Sequence, residues 1–186
     1  MKIRNYVSDV ANLLSLWDNA KVDMESIKNN DDLTIKRINK LIDIINGIIL
    51  EIAKYFIPLI VSRAFKTSDG VVYISQLREK FVSVERIIDE NGKEVRYTTK
   101  DDKIIMDKNS ATIYYRILPC SYAFANEIDF TNFEVPRNVI IYGAAAEMCL
   151  SEGMFDEAVV WHEKYREQLK MLTKMKNYKL AKRTWA

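Results

Sequence analysis

The sequence predicts an α+β fold: a helical body of about four main helices, with a small antiparallel β lobe inserted between the N-terminal and C-terminal helices. Three observations predict it. Apolar residues recur at three- and four-residue spacing up to Pro58 and again after Pro136, which is the period of a helix face. Between Val71 and Leu118 the period becomes that of strands, and Asn91-Gly92 supplies a dipeptide suited to the positive φ angles of a tight hairpin turn. The 186 residues are 48% hydrophobic, enough for one domain that buries roughly 70% of its unfolded surface. The expected organisation is a single domain over 1–186: N-terminal helices at 1–66, the β lobe at 67–119, C-terminal helices at 134–176 and a basic tail at 177–186.

Each element has its own local signal. Val7, Val10, Leu14 and Trp17 share one face of a helix expected from Arg4 to Ala20. Asn29-Asn30-Asp31-Asp32 offers turn residues and an N-cap for a helix beginning near Leu33. Its Ile35, Ile38, Ile42, Ile45, Ile49, Ile52 and Phe56 alternate by three and four, the spacing of a seam packed against other helices, and Leu41, Ile44 and Ile48 widen it. A stripe that wide can bury an intrachain helix on one flank and a neighbouring subunit on the other. Gly47 in its middle costs roughly 1 kcal/mol relative to Ala, so a close backbone approach is expected there. Pro58 kinks or ends the helix.

The β lobe is expected to hold Val71–Ile74, Phe81–Ile88 with a returning strand Lys93–Thr98, and a second pair, Lys103–Met106 with Ala111–Leu118. Ala111, Ile113, Tyr115 and Ile117 alternate on one face, and the whole reads as a meander or a compact barrel. After the aromatic-rich loop Cys120–Phe133, Pro136 suits a first helical turn. Asn138–Leu150 is a small-residue helix able to pack closely, and Gly153 ends it as a C-terminal cap. The last helix is expected to place Phe155, Ala158, Val159, Tyr165, Leu169, Leu172 and Met175 on its apolar side.

Composition and motifs exclude several function classes. The net charge of +2 announces neither a nucleic-acid nor a membrane-surface protein by itself. The N-terminus lacks the apolar run of a secretory signal. The greasiest stretch, Ile38–Val61, is interrupted by Lys40, Asp43, Glu51 and Lys54; at a bilayer centre each Asp or Lys costs roughly 2.5–3.5 kcal/mol, so a core helix is expected there and no membrane partner. Cys120 and Cys149 lie in apolar stretches and read as buried free thiols in a reducing compartment.

No catalytic, cofactor or metal site is expected, and the chain does not read as an enzyme. The positions three and four residues from His162, the single histidine, are Ala158, Val159, Tyr165 and Arg166, none of which adds a carboxylate or thiolate. Asp31-Asp32, Asp89-Glu90 and Asp101-Asp102 fall in expected turns. Five glycines form no phosphate loop, dinucleotide fingerprint or nucleophile elbow.

Charge is segregated only at the C-terminus, where every charged residue after Glu167 is positive. Lys170, Lys174, Lys176, Lys179, Lys182 and Arg183 are interleaved there with Tyr178 and Trp185. Complementing a helix dipole, worth roughly 0.3–1 kcal/mol per charge, involves only the last turn. These eight residues are therefore the expected partner-binding arm, ordering on an acidic protein surface or near DNA.

Four stretches carry a resemblance to a known family: Phe81–Tyr97, Ala111–Pro119, Val139–Gly153 and Phe155–Tyr165. In order they give a β-hairpin segment, a Tyr-rich strand closed by Leu-Pro, an Ala-rich helix, and a helix with Ala, Trp and Tyr. This pattern resembles the head-to-tail connector, or neck adaptor, proteins of tailed double-stranded DNA phages, over Leu33 to Leu172. The isoleucine-rich helix Leu33–Pro58 departs from it. The resemblance implies a structural virion protein, assembled in the host cytoplasm into a homo-oligomeric ring, a dodecamer, in the neck of the particle. Such a ring sits beneath the portal protein, which the arm Lys170–Ala186 would engage. It continues the DNA channel, so genomic DNA passes without sequence-specific binding, and it meets downstream tail or stopper proteins through a lobe such as Val71–Leu118. The rival readings are a nucleic-acid-binding regulator that uses the basic tail, although no recognition-helix or RNA-binding motif accompanies it, and another tail-completion component.

Overall fold

The computed structural model describes residues 2–16, 32–77, 80–127 and 135–179, with side chains up to Leu172 in the last helix. Among the described residues the chain forms four helices and two small antiparallel three-stranded sheets between them. The helices are α1 (Ile3–Leu13), α2 (Asp32–Glu51), α3 (Arg137–Ser151) and α4 (Phe155–Lys179), and the strands are β1 (Leu59–Lys66), β2 (Val71–Tyr73), β3 (Phe81–Ile88), β4 (Tyr97–Lys100), β5 (Lys103–Met106) and β6 (Ser110–Ile117). The α+β class read from the periodicities is the class observed. The chain divides into two compact units, Met1–Ile52 with Cys120–Ala186, and Ala53–Pro119.

In the helical unit α3 is the central element. Val139, Ile140, Ala144, Ala145, Ala146, Met148 and Cys149 are all buried, as the small-residue run requires. A Cβ placed on Gly143 would stand 3.0 Å from the Tyr165 ring of α4 and 3.1 Å from Ile48 Cδ1 of α2, so glycine sets the closeness of both helices to α3. The close approach expected at Gly47 is absent: nothing lies within 4 Å of a Cβ there. The buried stripe of α2 runs through Ile38, Leu41, Ile45, Ile48, Ile49 and Ile52, while Ile35 and Ile42 are half-buried.

Helix ends follow local chemistry. α3 closes with Gly153 at φ +79°, Gly153 N–H donating to Leu150 and Met154 N–H to Cys149, the paired bonds of a Schellman cap. α1 closes with the same pair of bonds, Ser15 N–H to Asn12 and Leu16 N–H to Ala11, but with Ser15 in the left-handed region at φ +48°. That cap ends α1 at Leu13, well before the expected Ala20; Trp17 and the N-cap residues Asn29–Asp31 lie outside the described residues. α2 passes at Ile52–Phe56 into a π-helical turn and stops before Pro58.

The second unit begins earlier than the lobe expected at 67–119, because Leu59–Lys66 is a strand and not the end of the helical segment. One sheet has the order β1-β6-β3 and the other β2-β5-β4. Ile113, Tyr115 and Ala111 of β6 pack with Val72, Ile104 and Met106 of the other sheet, with Val61, Phe65, Phe81 and Ile117 around them. The alternation read in β6 is thus the core face.

The expected strand pairings are corrected. Asn91-Gly92 does make its turn, with Gly92 at φ +77° and the Asp89 carboxylate accepting from the Asn91 and Lys93 amides at 2.9 Å. The returning segment keeps the Asp89 N–H to Lys93 bond, the Ile88–Glu94 bridge and the Val95 N–H to Ile87 bond before it leaves for the other sheet as β4. β5 does not pair with β6. It pairs with β4 through the two-residue turn Asp101-Asp102, with Lys100 opposite Lys103, and with β2. The shorter loop closes the nearer hairpin.

Candidate docking surfaces

The expected arm is placed only in part. α4 runs unbroken to Lys179, so Lys170, Lys174, Lys176, Tyr178 and Lys179 lie on one helix rather than in a tail starting at 177. Lys170 is exposed; the side chains of the other four, and Lys182, Arg183 and Trp185 altogether, lie outside the described residues.

α4 buries Ala158, Tyr165, Leu169 and Leu172. Phe155 and Val159, expected on that side, instead keep 67% and 60% of their surfaces exposed. At 100° per residue they sit about 60° and 100° from Ala158, beyond the width of the contact with α3. On the opposite flank Val160 and Met171 are also exposed. Beside them Trp161 stacks on Tyr142 of α3 at 5.7 Å, and the Lys164 ammonium lies 4.2 Å from the Trp161 ring centroid. A helical wheel drawn from the centre of the buried stripe identifies both flanks; a count of apolar spacings does not.

At the α3–α4 corner the Glu152 carboxylate accepts from Arg37 at 3.1 Å and Lys40 at 3.2 Å, tying the corner to α2. Burial raises the Glu152 pKa, but the Lys40 and Arg37 bonds and charges outweigh it and hold the carboxyl below its ordinary value. On α1, Asp9 accepts from Arg137 Nε at 2.6 Å, fixing the start of α3. The Tyr165 hydroxyl is buried on the side of α4 that faces Glu51 and Glu147. Burial first, then the negative charge of Glu51 and a hydrogen bond to it, then the charge of Glu147, push its pKa well up, so it remains protonated.

His162 is exposed, its ring tilted against Tyr165 at 6.4 Å. Among the described residues no cluster of three or more His, Cys, Asp or Glu side chains could hold a metal ion. Both cysteines are free. Cys149 is buried, and burial raises its thiol pKa; Cys120 is exposed, contrary to the expectation of two buried thiols. No described helix is long and apolar enough to cross a membrane.

The sheet β1-β6-β3 also has a solvent-facing side. Strand alternation and register place Ser62, Lys66, Arg86, Thr112, Tyr114 and Arg116 there, opposite the core-facing Val61, Phe65, Ile87, Ile113 and Tyr115. The Arg86 guanidinium lies 4.6 Å from the Tyr114 ring centroid, and Arg116 Nε donates to Glu85 at 2.6 Å. Period-two alternation in β6 was legible from the sequence. The charge of the whole face was not, because it needs the partners β1 and β3.

Comparison with protein-family models gives no match, and no curated protein matches the chain.

Proposed function

We propose that the chain is a structural subunit of a phage neck: an adaptor that assembles with copies of itself into a ring between portal and tail and continues the DNA channel. The observation that carries this reading is the outer surface of α4. Phe155, Val159, Val160 and Met171 stand in solvent on a helix whose inner face is already occupied by α3. Phe155 and Val159 lie one turn apart on one flank, and an apolar flank of this kind marks an interaction surface more than a scattered exposed residue does. Copies packed around a ring need such adhesive helical sides. The resemblance supports the same reading, since its four stretches fall on the segment from β3 to the start of β4, on β6 with Leu118-Pro119, on α3, and on the first half of α4. In this reading the C-terminal part of α4, with Lys170, Lys174, Lys176 and Lys179, docks on the portal, followed by Lys182, Arg183 and Trp185.

Native mass spectrometry of the protein alone and with the portal protein from the same source tests the proposal. A discrete complex with one copy per portal subunit is expected. Phe155→Glu with Val159→Glu should leave the circular dichroism spectrum unchanged and abolish ring assembly. Charge reversal at Lys174, Lys176 and Lys179 should weaken portal docking. A monomer that ignores the portal under all conditions would overturn the adaptor reading.

A further inference from the structure

We infer that α4 pairs with α4 of a second copy, antiparallel, through the ridge Val160, Lys164, Glu167 and Met171. These residues follow one another at i, i+4, i+7 and i+11, so they line up along one side of the helix, away from the stripe that packs on α3. All four are exposed. Val160 and Met171 keep 50% and 56% of their surfaces in solvent, which places an uncovered apolar residue at each end of a charged pair.

The order of the four residues chooses the occupant. Read in reverse it is again apolar, charged, oppositely charged, apolar. A two-fold axis midway between Lys164 and Glu167 therefore sets Val160 against Met171 of the second copy and Lys164 against its Glu167, each pair made twice. Within one chain Lys164 lies over the Trp161 ring, and among the described residues it forms no ion pair with Glu167. The charge of the whole helix follows the same symmetry. Asp156, Glu157 and Glu163 stand in its first half, where Arg166 shares the Phe155–Val159 flank, whereas Lys170, Lys174, Lys176 and Lys179 occupy its end. Parallel helices would set like ends together; antiparallel pairing lays the basic end of each beside the acidic start of the other. A partner of different chemistry would have to supply this apolar and charged order afresh, and a second copy carries it already. Lys174, Lys176 and Lys179 are also the residues that the proposed function gives to the portal, so the pairing withholds them until docking. That consequence rests on the proposed function; the pairing itself does not.

Sedimentation equilibrium of the full chain without portal tests the inference, in the parent and in Phe155→Glu with Val159→Glu, which removes the proposed ring contact and leaves the ridge intact. A monomer–dimer equilibrium is expected in that variant. Adding Val160→Glu with Met171→Glu should abolish the dimer and leave the circular dichroism spectrum unchanged. Lys164→Glu or Glu167→Lys alone sets like charges opposite each other and should weaken the dimer roughly tenfold or more. Both changes in one chain should restore it, and a mixture of the two single variants should give the heterodimer in preference to either homodimer. Three results would overturn the inference: a monomer at every concentration once the ring contact is removed, a dimer that Val160→Glu with Met171→Glu leaves intact, or a double charge exchange that restores nothing. A ring that forms in the parent beside any of these removes only the pairing, whereas a dimer with neither ring nor portal complex removes the adaptor reading and leaves the pairing standing.

Discussion

Four residues with unusual backbone or packing circumstances give the sharpest expectations. Gly47 is a mid-helix glycine exposed to open space, so it brings only the entropic disadvantage of glycine. Gly47→Ala should raise stability by roughly 0.5–1 kcal/mol in urea denaturation with the m-value unchanged. A destabilised variant would mean that the α2 backbone is approached closely in an assembly. Ser15 holds the left-handed position that glycine fills in the equivalent cap at Gly153. Ser15→Gly should therefore stabilise α1 by up to about 1 kcal/mol, seen as a higher thermal midpoint. Gly70 presents the opposite case. Its φ is +72°, and a Cβ there would collide with the Met106 carbonyl oxygen, so Gly70→Ala should cost β2 its register with β5. At Tyr165 the buried hydroxyl is held protonated beside Glu51 and Glu147, and Tyr165→Phe, which keeps the ring against α3, should cost no more than about 1–3 kcal/mol in urea denaturation.

At the scale of elements, the pH dependence of the α2 to α3–α4 contact follows from Glu152. Its folded-state pKa is depressed by Lys40 and Arg37, so its contribution is fully present above the unfolded carboxyl value of 4.5 and fades as pH falls through the folded value. Because the pair is partly exposed, the contribution is about 0.5–1 kcal/mol. Glu152→Gln should lose that amount at pH 7, and the gap to the parent should close below pH 4.5; a gap that persists there would show that packing, not charge, is responsible. The α3 helix gives a second expectation. Gly143→Val should destabilise by roughly 1–3 kcal/mol, because its branched side chain must displace the Tyr165 ring and Ile48 together. These elements also show what the sequence could disclose. α3 and the core face of β6 were legible since each writes its burial into its own residues, the small run 143–146 and the alternation 111–117. β1 was not, since Leu59–Lys66 follows directly on a helical pattern with no turn signal except Pro58. The β4–β5 pairing was missed because Asn91-Gly92 is the stronger local signal, although it governs only the first residues of its hairpin. On α4 the apolar spacing located the helix but not its buried centre, which α3 fixes from outside the segment.

At the scale of the whole molecule, the hydrophobic cluster of the β unit is drawn wholly from residues 61–117, and the chain enters and leaves that unit once each, at Ala53 and Pro119. Trp161, the tryptophan among the described residues, lies on α4 in the helical unit, and the sequence 53–119 contains no tryptophan. Tryptophan fluorescence therefore reports on one unit and the far-ultraviolet strand signal on the other. Ile113→Ala, at a fully buried position of the β unit, should cost that unit roughly 2–5 kcal/mol. The strand transition in urea should move to lower denaturant while the tryptophan transition stays in place. Coincident movement of both signals would establish that the protein unfolds as one cooperative body, and the two units would then have to be treated as a single element of any assembly they enter.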